Sequence, residues 1–120
     1  TCALPISTEE LKQVKNQGVR ESMIMLAWAL SMSDGKLAKK EESRIVFFAK
    51  SFGLTKERAT QLKLYAEQFL LDRAFEFHGA KGSLDQNDIK EIIELCQKLT
   101  IPKTEFEAIH ERYQKRCQRQ

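Results

Sequence analysis

Moved along itself by 47 positions, the distance from Gly35 to Gly82, the chain meets a second copy of its own pattern. Ala27, Gly35, Leu37, Ile45 and Lys56 fall on the identical residues Ala74, Gly82, Leu84, Ile92 and Lys103. Elsewhere the apolar class is kept: Phe48 falls on Leu95, Ala49 on Cys96, Phe52 on Leu99, Leu54 on Ile101 and Leu62 on Ile109. Chance helical periodicity would not align apolar positions through a loop and two helices around the same glycine, so the match reads as a duplication. The copies span about residues 19–66 and 67–117. Each is a helix, a Gly-Leu turn and another helix with one apolar face, and neither can cover that face alone. Two pseudo-symmetric helix-turn-helix units packed about a pseudo-twofold axis are therefore expected.

The fold class that follows is all-α, a bundle of about six helices over residues 7–120. Only two prolines and five glycines interrupt 120 residues, which suits one domain of helices joined by short turns. Ser7-Thr8-Glu9-Glu10 has capping-box order and predicts a helix to about Gln17, with Gly18 ending or bending it. Residues 19–33 are apolar almost all round from Met23 to Leu30, which predicts a central helix enclosed by neighbours. Ser33-Asp34-Gly35-Lys36 breaks it, and a helix over 39–52 follows, stopped by Gly53, with Leu54 packing back. Thr55 caps the next helix, which carries the stripe Leu62, Tyr65, Ala66 and Phe69 and runs to roughly Phe77. Gly79-Ala80-Lys81-Gly82 is the second break. Asp85 caps a helix with Ile89, Ile92, Ile93, Cys96 and Leu99 on its inner face, and Pro102 opens the last one through Phe106, Ile109, Tyr113 and Cys117.

Several function classes find no support. The +3 balance of 20 basic and 17 acidic residues is too even to indicate nucleic acid or a membrane surface. The basic tail of Arg112, Lys115, Arg116 and Arg119 reads as a solvated last turn that complements the helix dipole. Cys2, Cys96 and Cys117 have neither disulfide-framework nor zinc-finger spacing, which fits a reducing cytoplasm. The longest apolar run is eight residues, far below the ~20 that a membrane-spanning helix needs. His78 and His110 stand alone, the glycines form no phosphate-binding loop, and no nucleophile motif is present, so the expectation is not an enzyme. Trp28 with Met23, Met25 and Met32 reads as core filling rather than a ligand groove. Residues 1–6 (TCALPI) are what the end of a common short-read sequencing adaptor encodes. The native sequence is therefore expected to enter near Ser7, with residues 1–6 adaptor-derived or disordered.

The sharpest site candidate is the first turn. Asp34 and Glu41, with Glu42 beside them, could bring oxygens to one point, as Ca2+ or Mg2+ requires. An EF-hand register with Gly35 at loop position six puts Leu30 and Met32 at positions one and three, where no ligand exists. The alternative is structural: Asp34 closes the turn and Glu41 answers the exposed N–H groups of a helix start. In the second copy Lys81 replaces the aspartate, which makes a second metal site of the same kind unexpected.

From Met25 to Leu64 the chain reads MLAWALSMSDGKLAKKEESRIVFFAKSFGLTKERATQLKL, and its second copy closes on KLTIPKTEFEAIHERY. An alanine-rich apolar helix, a DG turn, a glutamate in the following helix and a glycine-leucine stop resemble the TerB-like family of tellurite-resistance and stress-response proteins. The resemblance implies a non-enzymatic bacterial domain, cytoplasmic, with acids that bind a divalent cation, here Asp34 and Glu41, and with protein partners. From the charge balance no nucleic acid is expected, and any membrane association would come from parts or partners outside this sequence. Related domains occur in membrane-anchored co-chaperones of the DjlA type, so a helical interaction or co-chaperone accessory module without metal is the alternative. A J domain's His-Pro-Asp motif does not occur, because His78 precedes Gly79 and His110 precedes Glu111.

Overall fold

The computed structural model describes residues 15–119 together with Glu9 and Gln13. All regular structure among them is helical: α1 (Gln17–Met32), α2 (Lys39–Ser51), α3 (Lys56–Gly79), α4 (Gln86–Leu99) and α5 (Lys103–Gln118). The all-α expectation holds, with five helices among the described residues. The helix expected to start at Ser7 and the reading of residues 1–6 fall outside the described residues. The chain divides into two compact units, Thr1–Ala66 and Glu67–Gln120, with the boundary inside α3.

Gly18 does not interrupt a helix. It lies inside the first turn of α1, which Asn16 starts by accepting the Val19 N–H on Oδ1 at 3.1 Å. The asparagine cap outweighs the cost of one early glycine, because a cap satisfies a donor that has no intrahelical partner. α1 is also not enclosed all round. Ile24, Ala27, Trp28 and Met32 are buried, while Leu26 and Leu30 are 58% and 53% exposed and Val19 is 47% exposed. The apolar run is thus a buried stripe backed by an open one.

The two units end their helices alike. Gly53 after α2 has φ 76°, and the Leu54 N–H reaches back to the Ala49 carbonyl at 3.1 Å. After α4, 47 residues on, Thr100 has φ 59° and the Ile101 N–H reaches the Cys96 carbonyl at 2.8 Å. Both are left-handed helix stops that recover orphan carbonyls. The interhelical turns correspond too: Gly35 (φ 79°) donates to the Met32 carbonyl and Gly82 (φ 114°) to the Gly79 carbonyl, each at 3.0 Å. Thr55 caps α3 through the Arg58 N–H, as its hydroxyl predicts, and Pro102 precedes α5.

Ile45, Phe48, Ala49, Phe52, Leu62 and Ala66 join the inner side of α1 as the buried residues of the first unit. In the second, Leu71, Phe75, Ile92, Cys96, Leu99, Ile101, Phe106 and Ile109 are buried. Tyr65, Phe69 and Ile93, expected on inner faces, are instead exposed by 37%, 54% and 38%. Ile93 lies one step around α4 from Ile92, beyond the arc that α4 buries. A bidentate pair from Arg58 to Glu21, at 2.8 and 2.7 Å, ties α3 to α1 within the first unit.

Candidate cation site at the first turn

Asp34 follows the end of α1, where φ 79° at Gly35 turns the chain toward α2. Its Oδ1 accepts the Lys36 N–H at 3.0 Å, closing an Asx turn, so the turn-closing role of this carboxylate is real. Glu41 stands in the first turn of α2, where the N-cap is Ala38 and no side chain caps the helix. Glu41 does not complete a capping box either. Its Oε2 is buried and has no hydrogen-bond partner. A buried, unsatisfied carboxylate oxygen costs free energy that a helix dipole alone only partly offsets.

The second turn serves its carboxylate differently. Shifted by 47 residues, Asp34 becomes Lys81 and Glu41 becomes Asp88. There the Lys81 ammonium lies 2.6 Å from Asp88 Oδ2 and 3.1 Å from Asp85 Oδ2. Asp85 and Asp88 also form a full capping box: the Asp88 N–H donates to Asp85 at 2.8 Å and the Asp85 N–H donates to Asp88 at 2.9 Å. His78 Nδ1 sits 3.1 Å from Asp88 Oδ1. Lys81 beside it, the Asp85 N–H and His78 together hold the Asp88 carboxyl far below the usual aspartate range, while Asp88 and Asp85 raise the Lys81 ammonium. The carboxylate of the second turn is fully served by its own chain.

The correspondence of Glu41 with Asp88 is readable in the sequence, but only once the 47-residue offset is carried past the glycine to every acid. His78, an isolated histidine in the sequence, belongs to this network. His110 stacks on Phe75 with centroids 5.1 Å apart. Among the described residues no cluster of three or more His, Cys, Asp or Glu side chains is placed to hold a metal. Asp34 and Glu41 would thus supply two carboxylates at most, with water completing the shell. Such a pair, brought together, would suit Mg2+, which keeps several waters, or a weak Ca2+ site.

The other singled-out groups have structural surroundings. Burial, followed by the charges of Glu105 and Glu67, pushes the Cys96 thiol up to about 11, so it is not a thiolate at neutral pH. In the basic tail, Arg112 and Arg116 face Asp72 of α3, and Lys115 pairs with Glu111 at 3.1 Å. No described helix is long and apolar enough to cross a membrane. No family model matches the chain, and no curated protein or solved structure matches it.

Proposed function

We propose that this chain is a non-enzymatic, TerB-like stress-response domain whose first turn takes up a divalent cation through Asp34 and Glu41 and which acts by holding protein partners. One contrast carries the reading. Where the second turn neutralises Asp88 with the ammonium of Lys81, the first turn offers two carboxylates and leaves Glu41 Oε2 buried without a partner. A bound cation would do for the first turn what Lys81 does for the second. The resemblance of residues 25–64 to the TerB-like pattern points the same way.

Titration with CaCl2 and MgCl2 followed by amide NMR shifts tests it. Saturable changes confined to the neighbourhood of Asp34 and Glu41, lost in Asp34→Ala and in Asp34→Lys, are expected. The lysine variant rebuilds the second turn's pairing and should keep the fold while removing the response. No saturable change at millimolar cation would leave the second reading, a helical interaction or co-chaperone accessory module without metal. That reading rests on the open stripe of Val19, Leu26 and Leu30, an exposed apolar face of the kind that marks contact surfaces.

A further inference from the structure

A groove in the first unit, bounded by α1, α2 and the start of α3, encloses about 630 Å³. Trp28, Ile45, Ala49, Leu54 and Ala59 supply its apolar lining. Lys50, Lys56 and Lys63 stand around it, with Glu42 the one carboxylate. Among the described residues none of the three lysines is ion-paired; Lys63 Nζ instead lies 5.0 Å from the Trp28 ring centroid. The volume falls in the range of small-molecule sites, and the surplus of ammonium groups favours an anion.

The other unit shows why this groove is open. Trp28 corresponds to Phe75, Lys63 to His110 and Ala59 to Phe106. His110 stacks on Phe75 much as Lys63 covers Trp28, and Phe106, only 8% exposed, brings its ring 5.8 Å from that of Phe75. Where the second unit has a phenyl ring, the first has the methyl of Ala59. The change at this position removes a ring's worth of packing. Lysines also stand at 50 and 63, where the second unit has Gln97 and His110.

We propose that the groove over Trp28 binds a small amphipathic carboxylate whose aromatic or short acyl body fills the place that Phe106 fills in the second unit. Its head group meets Lys50, Lys56 and Lys63. A groove of this volume, with an indole in its floor and lysines around it, suits a small molecule better than a helix, whose contact face is long and shallow. The site uses neither Asp34 nor Glu41, so it stands or falls independently of the cation.

Trp28 is the only tryptophan, so its emission reports on the groove directly. The whole chain is titrated with 4-phenylbutyrate, with 4-phenylbutanol and 4-phenylbutylamine as neutral and cationic counterparts. A saturable change in emission is expected for the carboxylate, weaker binding for the alcohol and none for the amine. Lys63→Gln should weaken the carboxylate by roughly tenfold, the loss of one charge-assisted contact. Ala59→Phe should keep its helical circular dichroism and abolish binding. If that variant loses its helical signal, Lys50→Gln and Lys63→Gln, both changes at the groove's rim, decide through the dissociation constant alone. No saturable response in the native chain, equal affinity for carboxylate and amine, or undiminished binding in folded Ala59→Phe would overturn the proposal.

Discussion

The two units share their backbone punctuation and differ in how they are finished. Both turn at a glycine of positive φ, and both stop their middle helix with a left-handed residue and a backward hydrogen bond. In the second unit Lys81 neutralises Asp88, and Phe106 packs beside Phe75. The first leaves Glu41 Oε2 unserved and a groove over Trp28. Two units of one pattern thus serve as controls for each other.

The largest effect is expected from exchanging the filling residues. Phe106→Ala should destabilise by about 3–5 kcal/mol, because it empties a buried aromatic cluster. Ala59→Phe, its mirror, should shift stability by no more than about 1 kcal/mol in either direction, since its ring enters existing space. Thermal melts of both variants test this, and equal losses would mean that the groove is not the counterpart of the Phe106 site.

Gly79 comes next. A Cβ there would collide with the hydroxyl end of Tyr113, whereas the first unit has Met32 and Ala66 at the corresponding positions. Bulk has moved from one partner position to the other. Gly79→Ala should cost about 1–3 kcal/mol by overpacking, and adding Tyr113→Phe should recover part of it. Denaturant melts of the single and double variants measure that recovery.

The helix stops give a smaller, signed pair. Thr100→Gly should stabilise by about 1 kcal/mol, because a β-branched residue there holds a left-handed backbone that glycine adopts without strain. Gly53→Ala should destabilise by about 1 kcal/mol for the same reason in reverse. The smallest expected effect is on acid stability. Asp88 titrates well below its ordinary value of 3.8, so its contribution is intact above that pH and is lost as the pH falls through the depressed value. Acid unfolding of the native chain should show this loss below pH 3.8, and Asp88→Asn should lack it.

Much of the fold was legible because it is written in local chemistry. The glycine at 53 and the caps at Thr55 and Asp85 each satisfy backbone groups within three or five residues, so sequence spacing alone places them. The open face of α1 was not legible, since an all-apolar run says only that no polar face exists, not which side finds a neighbour. Gly18 misled because its cost was weighed without the Asn16 cap one residue before the helix. At the first turn, Asp34 and Glu41 stand out by residue type and order. The orphaned oxygen of Glu41 depends on three-dimensional burial, which periodicity does not encode. Trp28 and Met32 are core residues, as an apolar helix predicts, and the groove beside Trp28 is signalled in the sequence only by Ala59 standing where the second unit has Phe106.

The enclosed thiol of Cys96 has a practical consequence. Cys117, on the exposed side of α5, is open to an alkylating reagent on mixing, whereas Cys96 is buried and held protonated. Modification of Cys96 must therefore wait for α4 to come away from its surroundings. The slow arm of a labelling time course becomes a clock for the opening of the second unit under native conditions.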